Sequence, residues 1–142
     1  MKKIIPILFI MALCHFNAIA QCDKKVKLTS SATEYLDKNN TVQRSEEEKS
    51  TIMIDKSTIT ITPGNSGHDM KGTITFDSCV WSIPYKKGKT IIKTKLTDES
   101  GDTKNATITI EGKEGKLNLV MEAEEMPDKK IRVPIDIFQE TE

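Results

Sequence analysis

Residues 106–137 read ATITIEGKEGKLNLVMEAEEMPDKKIRVPIDI. Apolar side chains take every second position: Ala106, Ile108 and Ile110, then Leu117, Leu119, Met121 and Ala123, then Ile131, Val133, Ile135 and Ile137. Thr107 and Thr109 fill the alternate positions of the first run, and Lys130, Arg132, Pro134 and Asp136 those of the last. A period of two marks strands that bury one face, because successive side chains leave a pleated backbone on opposite sides. Between the runs lie Gly112-Lys113-Glu114-Gly115 and Glu125-Met126-Pro127-Asp128, short turn-rich connectors of hairpin type. Runs joined in this way make an antiparallel meander. Pro134 has no backbone donor, so it predicts either an edge strand or a bulge.

The same alternation extends toward the amino terminus. Asp98-Glu99-Ser100-Gly101-Asp102 precedes the quoted stretch as another turn, and before it runs Ile91 to Leu96. Ile52 and Ile54 lead through Asp55-Lys56 into Ile59 and Ile61; after the Pro63 to Gly67 loop come Ile74, Phe76 and Trp81. With Val26 to Leu28 these make about eight strands, all-β, with almost no helical periodicity. Tyr35 to Gln43 reads equally as a loop or a hairpin tip, and Glu46-Glu47-Glu48-Lys49 reads as a solvated loop between strands. A meander of this length can close on itself and leave no open sheet edge, so an up-and-down barrel is favoured over a Greek-key sandwich.

Outside the strands, the amino terminus carries an address. Lys2 and Lys3, the apolar run Ile4 to Leu13, and Ala18-Ile19-Ala20 before Gln21 have the layout of a secretory signal peptide. A spanning helix needs about 20 apolar residues, and Cys14, His15 and Asn17 interrupt this run. Residues 1–20 are therefore read as a cleaved signal and residues 21–142 as a single domain, exported to the periplasm or secreted. A lipid anchor on Cys22 is the minor alternative, because bulky Gln21 stands where a small residue is expected. Cleavage leaves Cys22 and Cys79, and an exported pair in an oxidising compartment is expected to join. The whole chain has 21 basic and 21 acidic side chains, and loss of Lys2 and Lys3 leaves a slight negative excess. That balance gives no electrostatic footprint for nucleic acid, and no transmembrane segment remains after cleavage.

Chemistry-bearing patterns are sparse. Only His68 remains after cleavage, in the turn-rich Gly64-Asn65-Ser66-Gly67-His68-Asp69 connection. Ser66, Ser78, Asp69 and Asp77 are near it in sequence, but nothing around them resembles a nucleophile elbow. Zinc needs three or four suitable ligands, and one His and two Cys expected to pair do not supply them. Asp98, Ser100 and Asp102 have the spacing of a calcium loop, but Gly101 is misplaced and no closing glutamate follows, so a polar hairpin turn is the better reading. Gly88-Lys89-Thr90 imitates the end of a phosphate-binding loop, with Ile83 where its first glycine should be. Glu111, Glu122, Glu124, Glu125 and Asp136 form no evident acid and base pair for glycoside hydrolysis. The expectation is a non-enzyme with no cofactor, no metal site and no catalytic residue.

The densest site-like cluster is Phe76, Trp81 and Tyr85 beside Cys79, with Lys86, Lys87 and Lys89 following. It reads either as a core corner packed on the disulfide or as the wall of an apolar ligand pocket in which Lys86 and Lys89 hold an acidic head group. The Gly72 to Phe76 strand (Gly-Thr-Ile-Thr-Phe), the following Trp81 and the uninterrupted hairpins to the carboxyl end resemble the small lipocalin-like domains of exported bacterial proteins, over Thr51 to Glu140. That resemblance implies a carrier or sensor holding an apolar small molecule. The Gly-x-Trp signature of lipocalins has no counterpart here, so no cavity residue is carried over. A second reading is a filled barrel that docks to another envelope protein through an edge strand or the Lys86 to Lys89 segment.

Overall fold

The computed structural model describes Cys22 and residues 24–64 and 68–141. The predicted signal peptide and Gln21 lie outside the described residues. Nine strands follow in order: β1 (Lys25–Asp37), β2 (Val42–Ile54), β3 (Thr58–Thr62), β4 (Met70–Ile83), β5 (Lys87–Thr97), β6 (Thr103–Lys113), β7 (Lys116–Ala123), β8 (Lys129–Ile135) and β9 (Ile137–Thr141). From β1 to β8 each strand pairs antiparallel with the next, and β1 also pairs with β8 and β9. The meander therefore closes on β1 into a barrel.

Closure follows from the alternation that the chain maintains from end to end. Leu28, Ile52, Ile59, Ile92, Ile108, Ile110 and Leu119 point inward from six different strands and are almost wholly removed from water. Each such side chain contributes roughly 1.5–3 kcal/mol of transfer free energy. Hairpins hold the register by local polar bonds. Asp98 Oδ1 accepts from Ser100 N and Oγ and from Asp102 N, with Gly101 at φ 85°; this is the polar turn read from the sequence. Glu114 and Gly115 both have positive φ, 54° and 76°, which suits a two-residue hairpin loop between paired Lys113 and Lys116.

One open alternative is resolved, and two details differ from the sequence reading. Tyr35 to Gln43 resolves as a hairpin tip, where Asp37 Oδ1 accepts from Asn39 N at 2.8 Å and Thr41 N at 2.9 Å. Glu46 to Lys49 is no loop: it lies inside β2 and pairs along β1. The apolar phase of the last strand also slips. Ile137, expected inward with Ile131, Val133 and Ile135, is 52% exposed, and Phe138 turns to the core instead.

The cause of that slip is a break in the ladder. Pairing of β1 with β8 ends at Glu34 and Arg132, and pairing with β9 resumes at Thr29 and Ile137 in the same register. Pro134 sits in the gap, as a proline in a strand requires a bulge or an unpaired side. Across it, Asp136 N donates to Thr29 O at 2.9 Å, and the Asp136 carboxylate accepts from Ser31 N at 2.8 Å and Ser31 Oγ at 2.7 Å. Eight antiparallel strands thus close the barrel, and β9 is one short extra strand that continues the pairing along β1 beyond the bend at Asp136.

Candidate functional site

The two ends of the barrel are built differently. At one end Trp81 is buried, its ring stacked 5.0 Å from Tyr85, which stacks 3.7 Å from Phe138. Trp81 Nε1 donates to Thr90 Oγ1 at 2.7 Å, so the indole is packed without an orphaned donor. Gly112 is required there: a Cβ would stand 2.9 Å from Trp81 and 2.8 Å from the Lys86 carbonyl. Cys22 and Cys79 lie at disulfide distance, their Cα atoms 6.0 Å apart. A recess of about 190 Å³ remains beside them, between Tyr85, Asp77 and Lys24. Burial, followed by the nearby Glu140 carboxylate, pushes the Tyr85 phenol up to about 12.

The sequence-derived pocket is only partly assembled at this end. Trp81 and Tyr85 come together as an aromatic plug. Phe76 stands 50% exposed with the Lys93 ammonium 5.8 Å from its ring centre. Lys89 is exposed and pairs with Glu111 at 3.2 Å, while Lys86 is exposed in the turn after β4. Phe76 and Lys89 therefore stand apart from the plug rather than forming its rim.

At the other end the interior stays open. A cavity of about 290 Å³ lies between β1, β2, β3, β7 and β8, near the lower bound of small-molecule sites. Its walls are Ile52, Ile61, Leu119, Met121, Ile131 and Val133, with Met70 and Pro63 at the β3 to β4 connection and His68 at the exposed rim. Polar groups enter from two strands only. β1 supplies Thr33 and Tyr35; β2 supplies Glu46, Glu48 and Ser50 on alternate residues, the same face that continues as Ile52 and Ile54.

Ser50 is distinctive among the buried polar residues. Ser30 Oγ donates to the Ala32 carbonyl and Thr94 Oγ1 to the Thr73 carbonyl. Ser50 is only 7% exposed, lines the cavity, and its Oγ has no hydrogen-bond partner. Buried hydroxyls are ordinarily satisfied, and Ser50 Oγ has no partner in this structure. Around it, Glu46 pairs with Arg44 at 3.0 Å in an exposed contact, and the Arg44 guanidinium lies 4.1 Å over the Tyr35 ring.

The sequence reading weighed His68 and placed Leu119, Met121, Ile131 and Val133 on apolar strand faces, but assigned none of the cavity residues to a pocket. The one available signal was the parity of Glu46, Glu48 and Ser50 with Ile52 and Ile54, masked by reading three successive glutamates as a loop. Among the described residues no cluster of three His, Cys, Asp or Glu side chains could hold a metal ion, and no helix is long and apolar enough to cross a membrane. No protein-family model, curated protein or solved structure matches the chain.

Proposed function

We propose that this is an exported, non-enzymatic barrel that carries or senses a small, largely apolar molecule in the cavity between β1, β2, β3, β7 and β8. The observation that carries this proposal is a largely apolar cavity of about 290 Å³ whose lining includes Ser50, a residue with a buried, unpartnered hydroxyl. A filled barrel would have no reason to keep either. The opposite end is stopped by Trp81, Tyr85 and Phe138, so entry is from the His68 side. Export is supported by the signal-like amino terminus and by the Cys22 and Cys79 pair at disulfide distance. That pair also argues against a lipid anchor, since acylation would consume the Cys22 sulfur.

Methionine methyl resonances give a direct test. Met70 and Met121 line the cavity, whereas Met53 and Met126 do not. Titration with 1-octanol should shift the first two signals and leave the others in place, and Leu119→Trp, which fills the cavity, should abolish the shifts. Octanol that moves no methyl, or all four equally, removes the carrier reading.

The outer face of β4 favours a second reading, since it exposes Phe76, Val80 and Ile83. Such a strip suits docking to another envelope protein. Under that reading the cavity methyls stay unmoved by octanol, and Val80→Ser disrupts assembly while leaving the fold intact.

A further inference from the structure

We infer that the cavity selects ligands whose polar end is cationic, an alkylammonium rather than a carboxylate; this rests on the carrier reading and specifies its ligand class. Along the inward face of β2 the side chains run Glu46, Glu48, Ser50, Ile52. Two carboxylates are followed by a hydroxyl and then by hydrocarbon. No Lys or Arg side chain lines the cavity. Fatty acids would place their negative group among like charges.

The carboxylates are available to a ligand. Glu46 meets Arg44 at 3.0 Å, but both side chains are largely exposed, and such surface pairs contribute little. Among the described residues no hydrogen bond or ion pair engages Glu48, which is half-buried at the cavity wall. Glu46 has only the exposed Arg44 as countercharge and Glu48 has none among the described residues, so a bound ammonium adds a countercharge that the cavity wall lacks. Ser50 adds an independent observation: the residue lines the cavity while its Oγ is buried and unpartnered, so a χ1 rotation that turns the hydroxyl to the cavity gives it a partner only when a polar group is bound there. A hydroxyl can accept from an N–H donor, so an ammonium reaching past Glu48 satisfies both groups.

A matched ligand series tests the inference. Octylamine, 1-octanol and octanoate share a tail and differ in head charge at neutral pH. Octylamine is expected to bind roughly two- to fivefold more tightly than octanol, the discrimination of a solvent-reachable ion pair, with octanoate weakest. Glu48→Gln and the double change Glu46→Gln with Glu48→Gln should erase the preference for the amine, read as the ratio of octylamine to octanol affinity within each variant. The inference is overturned if octanoate binds as tightly as octylamine, or if the glutamine variants keep the preference. In either case octanol still shifts the Met70 and Met121 methyls and the carrier reading stands. Failure of all three ligands overturns both.

Discussion

A hydroxyl kept from water without a partner costs roughly 1–3 kcal/mol, and Ser50 Oγ is so placed. Ser50→Ala should therefore leave the ligand-free protein as stable or more stable, by up to about 1 kcal/mol, while weakening octylamine binding. Thermal melts with and without amine measure both, and a lower melting temperature for the free variant would show that the hydroxyl has a partner. Tyr85 behaves oppositely, since its polar group is held in the neutral form. Burial first and the Glu140 carboxylate second raise its phenol from 10.0 to about 12. The unfolded chain thus releases this proton before the fold does. The contribution to stability is intact below pH 10 and is lost as pH rises toward 12, on the order of 1–2 kcal/mol for a partly exposed ring. Alkaline unfolding followed by tyrosinate absorbance should shift to higher pH in Tyr85→Phe, and an unchanged profile contradicts the assignment.

Strands and hairpins were the most legible elements, because their signals are local. Asp55 illustrates this: its carboxylate accepts from Ser57 N at 2.8 Å and Thr58 N at 2.7 Å, and those bonds, backbone Ser57 foremost, hold it below the usual carboxylate range. Turn chemistry of that kind can be read from three or four residues. The Glu46 to Lys49 segment could not be read the same way, because an apolar interior is assumed for the inward face and this face opens to solvent at the barrel mouth. Ile137 misled for a related reason: strict alternation carries no information about where a ladder lapses. The seam between β1 and the β8 to β9 strand is such a lapse, and Asp136 spans it with two bonds to Ser31. Asp136→Ala leaves Ser31 N and Oγ without their acceptor at a site where Pro134 already withholds a donor. Ser31 and Asp136 are both exposed, so water partly replaces the acceptor and a loss of about 0.5–1.5 kcal/mol is expected, with faster amide exchange confined to Thr29 to Thr33 and Asp136 to Phe138. Asp136→Asn, which keeps an acceptor, should recover part of it.

At the scale of the whole barrel, closure could be argued from strand number and the cost of open edges, but which end would stay open could not. That asymmetry comes from residues distant in sequence: Trp81, Tyr85 and Phe138 meet only after β9 returns beside β1, whereas the acidic mouth is written within β2. Closing the barrel joins Lys25 to Thr141, the strand pairing of greatest sequence separation among the described residues, and contacts of high sequence separation form at high entropic cost. β1 is the strand that must be captured from both sides. Cys22 stands just ahead of it and Cys79 in β4, 57 residues apart in sequence, so a bond between them tethers the start of β1 to the plugged end before closure. For a loop of that length the chain-entropy model gives about 4 kcal/mol of stabilisation. Cys22→Ser, Cys79→Ser and reduction of the native protein should therefore each lower the urea midpoint by the same amount, and adding reductant to either variant should change nothing further. The cavity lies at the opposite end, so the octanol-induced shifts of Met70 and Met121 should persist in both variants under native conditions. Midpoints that do not move on reduction would mean that the tether is absent and that β1 is held by its pairings with β2, β8 and β9 alone.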